Sequence, residues 1–371
     1  MAVPDYDAFE RELTALGQEL RAGSGRADIL HLRRLERWGR LFCLLGHATA
    51  WLAPNPVSVG LLAQGMMARF IIGHHVGHGG YDRVPGVPKR YTKRCFGRGW
   101  RRFVDWLDWW GQEDWRYTHN QLHHHHTQAP LDGDIMDAGF VTGQPRWVRY
   151  LALAFYTLTW KFTNYAPRMR RERALKDQGA ERSEPYVMRL ADLIDLADPV
   201  VRTLWLRDYL PYIAVRFALP TLLVVPLGSW AIGSMLANLV LAELAHNAHT
   251  FVCIRPNHCA PDIPLFTAPF ASRREFYLQS VLGTVNYRSG GDVNDFLHGW
   301  TNYQVEHHLW PTLPLLQYQR AHSRLVAICA ATGVPYREEG VLRRYGKMAK
   351  LFMGLQRQPE LDTRRLLETA A

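Results

Sequence analysis

The chain has 371 residues, 47% of them hydrophobic, with 13 Trp, 16 Tyr and 15 Phe, a composition that excludes disorder and leaves room for a large buried core or a membrane body. A formal charge of +10 invites a nucleic-acid partner. The basic residues stand beside apolar blocks, however, without the aromatic-interleaved pattern of a nucleic-acid groove, and the mean hydropathy of -0.21 averages over that alternation.

The five cysteines (Cys43, Cys95, Cys253, Cys259, Cys329) are scattered, odd in number and without a C-x-x-C pair, so they read as free thiols in a reducing compartment. Residues 1–40 read as a charged helical cap with no signal-peptide pattern. The cluster Arg33, Arg34, Arg37 and Arg40 precedes an apolar stretch at 41–53, which Pro54-Asn55-Pro56 separates from a second at 57–73. We expect a transmembrane hairpin over 41–73, each arm a little short of the ~20 residues a span needs. Arg69 is tolerable there by snorkelling.

The second arm runs into His74 and His78, spaced i, i+4. A basic, Trp-rich connection follows, suited to the headgroup layer. It leads to WRYTHNQLHHHHT at 115–127, where a helix would put His119 and His123 on one face and His124 one step round. Neutral imidazoles so placed are ready metal ligands. A single pair at that spacing is common on solvated helices, so the weight comes from repetition. The stretch 147–166 is apolar apart from Lys161, and Arg168, Arg170, Arg171 and Arg173 come after it. Two further apolar blocks, 209–227 and 230–248, are joined by Pro226-Leu227-Gly228-Ser229, and the second carries Glu243, His246 and His249. A third histidine cluster, Gln304-Val305-Glu306-His307-His308, lies in a polar C-terminal part. Without internal repeats or linkers, the chain counts as one domain.

Three such clusters in this order, GHHVGHGGYD, HNQLHH and NYQVEHHLWP, resemble the histidine boxes of the integral-membrane fatty-acid desaturase superfamily, over about residues 73–336. The longer runs VPGVPKRYTKRCFGRGWRRFVDW and SGGDVNDFLHGWTNYQVEHHLWP look like a bacterial branch. The resemblance implies an all-α integral membrane protein with four transmembrane helices in two hairpins (41–73 and 209–248). A cytoplasmic loop at 74–208 would carry boxes one and two, and a cap at 249–371 box three. Boxes that meet must lie on one face, so an even number of spans separates His78 from His307, and 147–166 becomes an interfacial helix. The basic clusters then fall on the cytoplasmic side and the two hairpin turns carry no Lys or Arg, as the positive-inside rule asks of a bacterial inner-membrane protein.

By the same resemblance, His74, His78, His119, His123, His124, His307 and His308 are expected ligands of two Fe ions, and Gln304 takes a position that is His in many members. A weaker or supporting role is expected of Gln304. A further ligand usually comes from the last span, where some members have Asn four residues before a His; here Ala245 and Ala242 stand in that position. His249 is the expected ligand, His246 its reserve, and His258 and His298 are further candidates. Asp132, Asp134, Glu306, Asp292 and Asp295 are acids able to orient imidazoles. His75, His125 and His126 read as neighbours of ligands, and His31, His47 and His322 as structural residues.

The implied activity is oxygen-dependent desaturation of a long acyl chain by C–H abstraction, the acyl group carried on a lipid, CoA or acyl carrier protein. Hydroxylation on the same scaffold is the first alternative. A divalent-metal transporter and a bis-His haem protein are others, although no span offers a row of ionisable residues for an ion path. No haem-binding His-Pro-Gly-Gly, iron-sulfur cysteine set or Rossmann fingerprint is visible. Electrons are therefore expected from a separate ferredoxin or cytochrome-b-type donor that docks on the basic cytoplasmic cap.

Overall fold

Helix-stopping residues and polar caps divide this chain into two long helix pairs and a helical cap. The computed structural model describes residues 4–136, 141 and 143–368. Helix α1 (Tyr6–Ala22) starts where the Asp5 carboxylate accepts the Ala8 N–H at 2.8 Å. Helix α2 (Arg26–Ala50) runs unbroken across residue 40, so the charged N-terminal region and the first apolar arm are one rod. Helix α3 (Pro56–Gly77) begins at a capping Asn55, whose side chain accepts the Ser58 N–H at 2.7 Å, and at Pro56, whose fixed φ suits a first turn.

Small residues set how closely α2 and α3 approach. A Cβ on Gly65 would lie 2.4 Å from Cys43 Sγ, and one on Gly39 would lie 2.7 Å from the Ala68 Cβ. Small residues at such seams are what membrane helix pairs use in place of a hydrophobic driving force.

Helix α4 spans 112–126 and contains a π-turn at Arg116–His123. Helix α5 spans 146–177 with a π-turn at Lys161–Tyr165, and α6 (Pro199–Leu227) has two, at Trp205–Tyr209 and Ala214–Ala218. The last three each end two residues before a proline, at Pro167, Pro211 and Pro220. Proline has no N–H to donate and its ring crowds the carbonyl a turn earlier, and the widened turn absorbs both. Gly228, at φ +91°, makes the tight reversal into α7 (Ser229–Ile254).

The cap follows, with α8 (Arg273–Leu282), α9 (Asp292–His298), α10 (Gln304–Leu309), α11 (Leu315–Thr332) and α12 (Val341–Phe352). The expected all-α class is met by a mostly helical chain to which two parallel two-residue ladders are added, Leu265–Phe266 with Glu360–Leu361 and Asn286–Tyr287 with Glu338–Glu339.

Among the described residues two helices, Pro56–Gly77 and Pro199–Leu227, are long and apolar enough to cross a membrane, where four spans were expected. Their partners fall short for visible reasons. The first half of α2 carries Arg33, Arg34, Glu36, Arg37 and Arg40, and α7 carries Asn238, Glu243, His246, Asn247 and His249. Both hairpins nonetheless expose Leu44, Leu222, Leu223 and Trp230 outward. Helix α5 buries Leu153 and Trp160 while leaving Trp147, Leu151 and Phe155 exposed.

Asn238 joins the hairpins. Fully buried, it donates to the Ala50 and Ala53 carbonyls at 2.8 Å each, satisfying the end of α2, and accepts the Asn55 N–H at 2.9 Å. Leucine there would leave the Ala50 carbonyl and the Asn55 N–H unpartnered, at about 1–3 kcal/mol, while the Ala53 carbonyl would keep the Asn55 side-chain amide at 2.8 Å. Asn238→Leu is therefore expected to lower the melting temperature in detergent by several degrees; an unchanged transition would refute this role.

Candidate metal centre

Three helix ends and one turn deliver the histidines. The C-terminal turn of α3 brings His74, and His78 follows as its cap residue. In α4 the π-turn alters the expected geometry: the His124 N–H bonds the His119 carbonyl, an i→i+5 closure. The wider turn brings both His123 and His124 back to the face of His119, where an α-helix would have set His124 apart. From α10 come the adjacent His307 and His308.

These rings form two nests. Ligand atoms of His74, His78, His119 and His307 lie within 4.8 Å of one another, as do those of His123, His258 and His308. His124 stands between them, with Nε2 3.1 Å from His307 Nε2 and its ring stacked on His308 at 4.4 Å. The adjacent pair His307 and His308 thus serves different nests. All these side chains are buried.

His249, the ligand expected from the last apolar helix, is not brought to either nest. Its Nε2 lies 2.7 Å from the Leu297 carbonyl and fastens α7 to the end of α9. The reserve, His246, accepts from Lys161 Nζ at 3.0 Å, and His298 bonds the Asn294 carbonyl. The place is taken by His258, which reaches the centre because α7 runs on to Ile254 and a short turn at Arg255–Asn257 follows. Gln304 meets that same ring, its side-chain nitrogen 2.9 Å from His258 Nε2.

The supporting acids divide as clearly. Buried Asp132 accepts the His123 Nδ1–H at 2.9 Å, leaving Nε2 free, and also takes the backbone N–H groups of Gln128 and Asp134 at 2.8 and 2.9 Å. Asp134 lies 3.7 Å from the same ring and close to His119, paired with Arg168 at 2.7 Å and Arg255 at 3.5 Å. Glu306 instead bonds His322 and Asn286, Asp295 bonds Asn302, Tyr303 and Gln319, and Asp292 pairs with Arg34, so these three brace the cap.

Burial first, and the neighbouring imidazoles second, hold His78, His119, His124, His258, His307 and His308 well below the usual imidazole range. His123 goes the other way: burial pushes it down, but Asp132 and Asp134 outweigh that. Neutral rings in such contact leave donor atoms facing one another. His74 Nε2 is 3.0 Å from His307 Nε2, while His78 Nε2, both nitrogens of His119, and His308 Nε2 have no hydrogen-bond partner. Orphaned buried nitrogens are costly, and a set of them converging on two points fits divalent cations that prefer imidazole.

Beside the nests a cavity is lined by His74, His119, His123, His258 and His307 together with Phe70, Ile71, Trp160, Tyr165, Ile254 and Trp300. Its lining mixes ring nitrogens with apolar and aromatic side chains, and Asp134 and Arg255 reach it as well. Sequence reasoning found the box histidines, Asp132 and Asp134, and kept His258 only as a further candidate. The local signal for His258 is faint: a polar Arg255-Pro256-Asn257 turn directly after an apolar helix.

Residues 46–340 match the family model for fatty acid desaturase. An NADPH-dependent stearoyl-CoA 9-desaturase of Mycobacterium tuberculosis is 26% identical, the alignment covering 94% of this chain and 82% of that protein. Shorter matches are a Delta(8)-fatty-acid desaturase of Euglena gracilis, 37% identical over 17% of this chain and 15% of that protein, and a chloroplastic acyl-lipid (7-3)-desaturase of Chlamydomonas reinhardtii, 39% identical over 18% and 12%. With a family match over most of its length and imidazole nests bordering a partly apolar cavity, this chain belongs to the fatty acid desaturase family, and its function is the oxidoreductase chemistry of fatty acyl desaturation.

Proposed function

We propose that the enzyme is an oxygen-dependent di-iron desaturase embedded in the bacterial inner membrane, acting on long acyl chains carried on CoA. The observation that carries this reading is the pair of buried imidazole nests bordering a cavity that Phe70, Ile71, Trp160 and Ile254 also line. The CoA carrier is supported by the mycobacterial relative, named a stearoyl-CoA desaturase. The four-span architecture is supported by the two hairpins, whose outward faces are apolar even where α2 and α7 carry internal polar groups.

In this reading His74, His78, His119 and His307 hold one iron and His123, His258 and His308 the other, with His124 between the two sites. Bound there, two irons supply activation of dioxygen with two electrons from a donor, enough to remove hydrogen from an unactivated methylene. The chain's own residues do the rest. Asp132 keeps the proton of His123 on Nδ1. The Thr127 hydroxyl, 3.2 Å from His308 Nδ1, steadies that ring in the same way. Gln304 sets the orientation of His258. Phe70, Ile71, Trp160 and Ile254 take the acyl chain and exclude water, so placement of a methylene against the nests selects the reacting carbon. Electrons come from a separate ferredoxin or cytochrome-b-type protein.

Elemental analysis of the purified protein is expected to give about two irons per chain, falling to about one in His258→Ala and unchanged in His249→Ala. Loss in His249→Ala with retention in His258→Ala would refute the ligand assignment. Stearoyl-CoA with dioxygen and a reductant is expected to yield a monounsaturated product by mass spectrometry; a hydroxylated product would move the reading to a hydroxylase.

Acidity tests the nests without metal. Histidines that the fold holds neutral take up protons in the unfolded chain as the pH falls through about 6.5, so the unfolded state binds more protons and stability drops. The ceiling is about 1.4 kcal/mol per pH unit for each such histidine, and His123, raised by its aspartates, partly offsets it. The melting temperature of the metal-free protein is expected to fall steadily from pH 7 to 5, and a flat profile would contradict neutral rings. Reduction by an acidic donor protein is expected to slow as salt is raised; a rate indifferent to ionic strength would count against docking on the basic face.

A further inference from the structure

At the glycine seam of α2 and α3 lies a second cavity, bounded by Glu36, Arg40, Cys43, Arg69, Val104 and Asp105. Its acids are already neutralised. Glu36 accepts from Arg40 at 2.6 Å and from Arg90 at 2.9 Å, and Asp105 accepts from Arg101 through two bonds of 2.8 Å. Arg69 is half-buried in the wall, and among the described residues no carboxylate pairs with it. Four guanidinium groups therefore face two carboxylates: one excess charge is shared by Arg40 and Arg90 across Glu36, and the other is Arg69.

Exposed apolar side chains lie close to these residues along the chain. Val104 lines the cavity and is 45% exposed, its neighbour Phe103 is 40% exposed, Leu44 follows Arg40 by one turn of α2 and is 66% exposed, and Trp100, stacked under Arg101, is 70% exposed. Arginines beside exposed apolar residues, five residues before the first box histidine, match the level at which phosphate headgroups meet acyl chains. A free phosphate would use the charge but not the apolar surface.

We propose that this cavity binds the phosphate headgroup of an anionic phospholipid, held by Arg69 with Arg40 beside it, with an acyl tail lying along Leu44, Phe103 and Val104. The inference rests on the reading that the first hairpin lies in the bilayer. The lipid would fill the open seam of the helix pair that carries His74 and His78, coupling membrane composition to the stability of the metal centre.

The test is native mass spectrometry of the full chain with dioleoylphosphatidylglycerol or dioleoylphosphatidylcholine, with thermal shifts measured in parallel for both lipids, inorganic phosphate and CoA. Retention of phosphatidylglycerol over phosphatidylcholine is expected, weakened about fivefold in Arg69→Gln and less in Arg40→Gln, and largely kept in Arg69→Lys. Equal retention of the two lipids overturns the proposal, as does undiminished preference in both glutamine variants. A shift from inorganic phosphate or CoA as large as that from the lipid overturns it in favour of a soluble anion. Should Arg69→Gln not fold, exposed Arg40→Gln decides alone. Failure of the wild type to float with phosphatidylcholine vesicles overturns the membrane reading and the proposal together, whereas flotation without preference for the anionic lipid overturns the proposal only.

Discussion

The structure depends on one constraint: eight imidazoles must be held buried with their nitrogens turned toward one another, all but His123 kept neutral by that burial. His307 Nε2 stands 3.0–3.1 Å from the Nε2 atoms of both His74 and His124, and a neutral ring nitrogen that faces two others can offer them only one proton or one lone pair. Burial forbids the protonation that would otherwise relieve the contact. The surroundings fix three of the rings from outside, through Asp132 on His123, Thr127 on His308 and Gln304 on His258. Rings whose inner nitrogens are orphaned and whose outer atoms are tied, as in His308, are preorganised for a cation.

That constraint reaches into helix geometry. A regular α-helix cannot present residues i, i+4 and i+5 to one point, and the π-turn of α4 solves this by widening the helix over Arg116–His123. The three other π-turns have a different origin, each accommodating a proline two residues on. One irregularity thus serves two ends: beside the metal centre it aims ligands, and in α5 and α6 it lets long helices contain proline without breaking.

What was legible in the sequence follows the range of the interactions involved. The box histidines were legible because their spacing is local, repeated once per turn of helix, and repeated three times along the chain. Asp132 was legible because it follows His123 within one short loop. His258 was legible only as a further candidate, because its place beside the nests depends on where the end of α7 falls relative to α10, nearly fifty residues further along the chain, and the resemblance pointed to His249 in the last apolar helix instead. The placement of His124 was missed for a related reason: the sequence was read with the α-helical period, and nothing local announces the π-turn.

The hydrophobic pattern located the helices better than it classified them, because averaging over residues cannot register pairing. Lys161 weakens the apolar pattern of α5, yet its ammonium is buried, donating to Asp108 at 2.7 Å and to His246 at 3.0 Å, and lies over the rings of Phe70 and Trp110. Glu243 weakens α7, yet it accepts from the Trp109 indole at 2.7 Å and the Tyr212 hydroxyl at 2.6 Å. Each charged or polar group scores against a span, although the partner that offsets its burial is present. Removing one member would leave the other buried and uncompensated, which costs more than the pair contributes. Such groups are thereby locked into the fold, and here they lock it where it matters: Phe70, on which Lys161 rests, stands one turn before His74 and forms part of the wall against which an acyl chain would lie.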